Sequence, residues 1–283
     1  MRNKLSSLIS KAIKNLASLT STAIDFALVL FVLCGLVIGA AKAPELHSRM
    51  VRSYVGSKVY LVTNDEHRGS GTGFAVEAAS GITYVMTNDH VCEVASPDGY
   101  VVLVDREGNE LRRRVIERSN FSDLCLVEGW PGVEGLEVGS EPSIGQIIAA
   151  VGHPNGYDIT LTRGEIIQRD DVIIPEGPIS ILNPNTQKEE IIEDGIAEDQ
   201  CRKPKNRIMW ANVPFFFFVL KMKYCVNVTE AAYFTNMMIQ PGSSGSPIVD
   251  FWGNVVGVVF AGDRAMWGIA VSHDDLVKML KNY

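Results

Sequence analysis

Read from its amino terminus, the chain changes hydrophobic period twice. Leu5, Leu8, Ile9, Ala12, Ile13 and Leu16 recur at helical spacing, and Arg2, Lys4, Lys11 and Lys14 supply charge with no acid before Asp25. Ala23 to Ala41 is then apolar apart from its edges, and from Phe26 to Ala41 the run carries no charge. A helix needs about 20 apolar residues to span a bilayer, and about 17 suffice. The pattern predicts a basic amphipathic segment over 1–22, a transmembrane signal-anchor over 23–41 and a linker over 42–52. Basic residues stay on the cytoplasmic side. The expected topology is therefore single-pass, with the amino terminus cytoplasmic and the remainder periplasmic or extracellular. A cleaved signal and secretion is the alternative, because small residues gather around Gly39 to Ala43. Pro44, directly after Ala41-Lys42-Ala43, argues against cleavage there.

Beyond residue 52 the pattern becomes short β-branched or aromatic runs separated by glycine and polar clusters: Val59–Thr63, Gly73–Val76, Thr83–Thr87, Ile147–Val151, Asp158–Leu161 and Glu165–Gln168. Tyr100–Asp105 and Leu111–Ile116 flank Glu107-Gly108-Asn109. Ser246–Asp250 and Val255–Phe260 flank Trp252-Gly253-Asn254. Both read as hairpins. A terminal helix is expected over 273–282, capped by Ser272, with Asp275 completing a capping box and Leu276 and Leu280 on its apolar face. Many short strands with one terminal helix predict an all-β barrel or sandwich.

One region breaks the pattern. From about 170 to 215 the chain is rich in charge, Pro and Asn, and it reads as an exposed insertion. Phe215-Phe216-Phe217-Phe218-Val219-Leu220 follows, with high strand propensity and no charge. It is expected to be a buried strand, with a membrane-contacting or partner-binding patch as the alternative.

Composition narrows the function classes. A net charge of −7 argues against nucleic acid, whose binding needs a basic face. Cys92, Cys125, Cys201 and Cys225 form no CxxC pair, so no zinc ribbon, no metal and no cofactor are expected. In an exported domain they allow disulfides in three pairings; Cys201 with Cys225 is favoured, because it would staple the insertion.

Three local motifs carry candidate chemistry: Thr87-Asn88-Asp89-His90-Val91 at a strand end, Ser122-Asp123-Leu124-Cys125-Leu126-Val127, and Gly242-Ser243-Ser244-Gly245-Ser246-Pro247 before Ile248-Val249. Each alone is weak. Together they occur in the order His, Asp, Ser, one of the orders in which a nucleophilic triad is built. The alternating helices of an α/β-hydrolase are missing from the pattern.

With Gly69-Ser70-Gly71-Thr72-Gly73-Phe74, Val151-Gly152-His153-Pro154 and Thr162-Arg163-Gly164-Glu165-Ile166, these motifs resemble those of the trypsin-like peptidases. Within that group the chain is most similar to the bacterial high-temperature-requirement (Deg-like) proteases. The resemblance runs from about Ser57 to Leu280. It implies a chymotrypsin-like fold of two six-stranded antiparallel β-barrels over 53–283, about 53–140 and about 141–271. It implies a serine endopeptidase acting on polypeptide substrates, with His90, Asp123 and Ser244 as triad and the backbone N–H groups of Gly242 and Ser244 as oxyanion hole. Ser244 alone among the neighbouring serines has Gly two before and Gly one after. By the same resemblance the S1 pocket has Met238 at its base and Phe260, Ala261, Gly262 and Gly268 in its walls. With no acid at Met238, a small or medium apolar P1 residue is expected. His153 is read as structural.

The sequence departs from the family in places. Ser243 stands where activated trypsins carry an Asp, so activation by a newly cut amino terminus is not expected. Deg-like proteases usually carry a PDZ domain after the protease, and none is expected here. Self-association is left open. The competing readings are a catalytically silent, membrane-tethered binding module of the same fold and a narrow-specificity viral or phage processing protease. A third is an interaction protein using Phe215–Phe218.

Overall fold

The structure, a computed structural model, describes residues 44–67, 70–156, 158–183, 188–192, 195–199, 201, 206–215, 218–262 and 267–283. The expected anchor at 23–41 lies outside the described residues. No described helix is long and apolar enough to cross a membrane. Residues 1–50 form a unit of their own, of which 44–50 are described as the first turns of helix α1 (residues 44–56), with Arg49 paired to Glu45. The stretch expected as a linker is thus helical from residue 44, and α1 ends by burying Val51 and Val55.

Six strands close the first barrel: β1 (Val59–Thr63), β2 (Gly71–Glu77), β3 (Thr83–Thr87), β4 (Tyr100–Val104), β5 (Glu110–Arg118) and β6 (Cys125–Glu128), in the order β1-β2-β3-β6-β5-β4 with β4 returning to β1. Strand alternation divides neighbouring residues between two cores. Tyr60, Val62, Ala75, Val85, Leu103 and Val127 fill the barrel. Their neighbours Val59, Phe74, Val76, Met86 and Leu126 face the other way, into a second apolar layer.

The second barrel uses β7 (Ile147–Gly152), β8 (Thr160–Leu182), β11 (Phe218–Thr235), β12 (Pro247–Val249), β13 (Val255–Gly262) and β14 (Gly268–Val271), and the β11–β8 pairing closes it. Its interior holds Ile148, Ala150, Ile166, Tyr233, Ile248 and Val259. The alternate residues Ala149, Val151, Val249, Val258 and Val271 join the layer that contains Phe74 and Leu126. That shared layer is where the two barrels meet, and α2 (His273–Leu280) adds Leu276, Met279 and Leu280 to it. Ser272 caps α2 by accepting from the Asp275 amide at 3.4 Å.

The expected insertion is built differently from the loop the sequence suggests. β8 and β11 run on past the barrel, paired from Val172↔Thr229 to Ile181↔Met222, and β9 (Glu189–Ile191) and β10 (Asn206–Phe215) flank them. Cys201–Cys225 staples this ribbon beside Ile179 and Ile196, as expected. Two prolines of β8 sit where the ladder shifts register: Val226 faces Pro175 and Tyr224 faces Pro178. Of the apolar run expected to be buried, Phe216 and Phe217 lie outside the described residues, Phe215 pairs with Phe218 across the β10–β11 ladder, and Val219 is exposed.

Candidate active site

β3 and β6 pair through Thr87↔Cys125. His90 follows Thr87 by three residues and Asp123 precedes Cys125 by two, so the ladder itself delivers both to one end of the first barrel. His90 Nδ1 meets Asp123 Oδ2 at 2.7 Å, and the His90 amide donates to Asp123 Oδ1 at 3.0 Å. The Asn88 side chain donates to the Asp123 carbonyl at 2.8 Å. A disulfide joins Cys92 to Cys125, fastening the two segments just beyond the pair. Arg118 holds Asp89 through a 2.5 Å contact and reaches Glu93 at 3.4 Å.

Burial pulls the His90 imidazole toward the neutral form. The hydrogen bond and charge of Asp123, joined by Glu93 and Asp89, outweigh it and raise the pKa above 6.5. The bond at Nδ1 fixes the tautomer and leaves Nε2 as the nitrogen able to take a proton.

The Ser244 turn comes from the second barrel. Gly242 and Gly245 lie at φ +86° and +85°, where side chains with a Cβ are strained. A Cβ on Gly242 would stand 2.6 Å from the His153 carbonyl oxygen, and one on Gly245 1.9 Å from the Thr72 carbonyl oxygen. Two backbone positions therefore require glycine, and the tight turn they make explains the Gly-Ser-Ser-Gly spelling. Within the turn, the Ser243 amide donates to Gln240, Gly245 to Val259 and Ser246 to Ser243. Among the described residues, no acceptor takes the amides of Gly242 or Ser244.

The two halves meet at Gly71. A Cβ there would stand 2.5 Å from Val91, next to His90, and 3.1 Å from the Ser244 carbonyl oxygen. His90 and Ser244 are thus brought to one place, but no hydrogen bond joins them. Ser244 Oγ donates to the Phe260 carbonyl at 3.4 Å instead. Phe260 is the extra residue at a register shift in β13, between Val259↔Ala270 and Ala261↔Ile269.

Of the residues expected around S1, Gly262 and Gly268 face each other as a ladder pair, with Phe260 two residues before Gly262. Met238 is 69% exposed. Ile239 lies beside that ladder pair, its side chain 2.8 Å from a Cβ built on Gly262 and 2.7 Å from one built on Gly268. Thr72, Thr87 and Ile239 are contributors that sequence reasoning assigned no role. The signal for Ile239 was its place beside Met238; Thr72 showed only as one letter of a glycine-rich strand.

A strand-end His–Asp pair in one six-stranded barrel, set against a glycine-framed serine in a second, defines the chymotrypsin-like architecture of serine peptidases. The model of the family described as "Trypsin-like peptidase domain" matches residues 71–258, and this chain belongs to that family, a serine-type endopeptidase class.

It is 27% identical over 198 residues to "Probable periplasmic serine endoprotease DegP-like" of Hahella chejuensis, covering 68% of this chain and 30% of that protein. It is 29% identical over 126 residues to "Serine protease Do-like HtrA" of Bacillus subtilis, covering 42% of this chain and 27% of that one. The chain spans between a fifth and a third of the length of such curated relatives. Among solved structures, the active form of the Rv3671c protease from M. tuberculosis superposes with a TM-score of 0.54 at 18% identity. It covers 84% of this chain and 85% of that one. Deg5 gives 0.54 at 20%, covering 83% and 92%. These two likenesses speak to the fold.

Proposed function

We propose that this chain hydrolyses peptide bonds as a serine endopeptidase with His90, Asp123 and Ser244 as its triad. The observation that carries the reading is the 2.7 Å His90–Asp123 pair set against the Ser244 turn, whose Gly242 and Ser244 amides have no acceptor among the described residues. Rotation about the Ser244 Cα–Cβ bond turns Oγ from the Phe260 carbonyl toward His90. Such bonds are often unformed before substrate binds. Ser244 Oγ then attacks the scissile carbonyl carbon as His90 Nε2 takes its proton, and the oxygen that gains charge is held by the two free amides. His90 returns the proton to the amide nitrogen, the C–N bond breaks and an acyl-enzyme remains. Water repeats the sequence and frees Ser244. Asp123 keeps the imidazole oriented and stabilises its charged form throughout.

Ile239 supports a finer reading of specificity. It occupies the space a deep S1 slot would need between Gly262 and Gly268, so a small apolar P1 residue such as Ala or Val is preferred. Anchoring by residues 23–41, with the domain periplasmic or extracellular, is supported by the apolar run, by the basic residues before it and by relatives named as periplasmic.

The test is labelling of the full chain by a fluorophosphonate, in which serine displaces fluoride from phosphorus. Wild type is expected to label, with Ser244→Ala and His90→Ala silent. Undiminished labelling of Ser244→Ala overturns the assignment. A folded wild type that does not label favours the silent binding module, the reading with which the Ser244–Phe260 hydrogen bond agrees.

A further inference from the structure

Thr72 is fully buried at the start of β2, with its amide and hydroxyl engaged across the barrel junction and its carbonyl engaged within its own barrel. Its amide donates to the Ser244 carbonyl at 2.7 Å. Its hydroxyl donates to the Gly242 carbonyl at 2.8 Å and accepts from the His153 amide at 3.0 Å. Its own carbonyl accepts from the Thr87 hydroxyl at 2.6 Å. One residue of the first barrel thus grips two carbonyls of the turn in the second.

The position of those carbonyls matters. The peptide from Gly242 to Ser243 is held at its oxygen by Thr72 and at its nitrogen by Gln240. The peptide from Ser244 to Gly245 is held at its oxygen by Thr72 and at its nitrogen by Val259. Between them lies the Ser243–Ser244 peptide, whose N–H has no acceptor among the described residues. A peptide unit is planar, so with both its neighbours fixed the middle one keeps only rotation about its Cα–Cα axis, and the Ser246 amide, donating to the Ser243 carbonyl at 3.0 Å, sets that rotation and with it the direction of the N–H. The Thr87 contact comes from the strand that leads to His90, so the same threonine also links that strand to the turn.

We propose that Thr72 is a positioning residue of the peptidase reaction, aiming the Ser244 amide at the oxyanion by holding the two flanking peptide planes. The proposal rests on Ser244 being the nucleophile. It predicts that the hydroxyl matters in the transition state more than in binding. Losing an oxyanion donor outright costs about 100–1000-fold in rate, and a donor that is merely released should cost less, about 10–100-fold.

The experiment measures phosphonylation of the full chain by a fluorophosphonate, separating maximal rate from half-saturating concentration, for wild type, Thr72→Val, Thr72→Ser and Ser244→Ala. Thr72→Val keeps the shape and removes the hydroxyl. It is expected to lower the maximal rate about 10–100-fold and leave half-saturation within about threefold, while Thr72→Ser restores the rate. A folded Thr72→Val that reacts within twofold of wild type overturns the proposal. So does a Thr72→Ser as slow as Thr72→Val, because the methyl group would then be what counts. If Thr72→Val does not fold, Thr72→Cys, which replaces the hydroxyl by a weak donor of similar size, carries the same comparison with the same outcomes. Labelling that persists in Ser244→Ala is a failure of the nucleophile assignment and is separate from either result.

Discussion

The two barrels hold their halves of the site by different means. In the first, His90 and Asp123 are fastened by a strand pairing, a side-chain bond to backbone and the Cys92–Cys125 disulfide. In the second, Ser244 sits on a turn with no covalent tie, shaped by two positive-φ glycines and pinned by hydrogen bonds, several of them from the opposite barrel. The His90–Asp123 pair is a local product of its own barrel, whereas the surroundings of Ser244, the proposed nucleophile, are finished only when both barrels are in place. Damage to what fastens the first half, leaving His90 and Asp123 intact, should therefore show mainly as lost stability, and damage to the turn in the second should always show as lost rate.

The largest test of that contrast is Gly245→Ala. The new methyl group would meet the Thr72 carbonyl and the Thr87 hydroxyl at a strained φ, a cost above about 3 kcal/mol. Fluorophosphonate reactivity is expected to be abolished; a folded, fully reactive variant breaks the comparison. Next comes Cys92→Ala with Cys125→Ala. The loop they close has a sequence separation of 33, and opening it should destabilise by about 3–4 kcal/mol, read by thermal unfolding. Reactivity of the molecules still folded is expected to stay close to wild type, and a rate loss that exceeds the unfolded fraction would place the disulfide in the chemistry. Opening Cys201–Cys225 in the ribbon should leave the rate unchanged.

Ile239→Ala is expected to act on specificity, shifting P1 preference in a peptide library toward Leu or Phe by about tenfold, the worth of a few methylene groups in an apolar pocket. An unchanged profile removes Ile239 from the substrate's path. The smallest effect is on pH. His90 acts as a base only when neutral, and its pKa lies above 6.5, so kcat/KM should rise through a window above pH 6.5. Removing one acidic neighbour with Glu93→Gln lowers that pKa and moves the acid limb to lower pH. A limb that moves upward contradicts the sign. The linked stability has the opposite sense: the charged His90–Asp123 pair stabilises the fold fully below pH 6.5, and this is lost as pH rises through the raised pKa.

Much of this arrangement is written locally in the sequence. His90 and Asp123 are legible because each sits at a fixed distance from a strand end, and Ser244 because its turn requires glycine. Both expected hairpins, the Ser272 cap and the Cys201–Cys225 pairing also depend on neighbours close in the chain or on simple geometry. The long ribbon was not legible. Asp170, Asp171 and Glu176 on β8 are exposed and break the apolar alternation around buried Val172 and Ile179, and Pro175 and Pro178 are absorbed at register shifts. Thr72 was equally opaque, since its role depends on three carbonyls and amides far away in the chain.

Thr72 and Gly242 are 170 residues apart in the sequence. Contacts so distant are closed late, after local strand pairs have formed. On a ribosome the first barrel emerges with His90 and Asp123 already able to meet, while the serine turn is still unmade. Catalytic competence is therefore expected to arrive with the last step of folding, when the two barrels dock. A nascent or half-folded copy would carry the reagents of proteolysis without being able to use them on its neighbours.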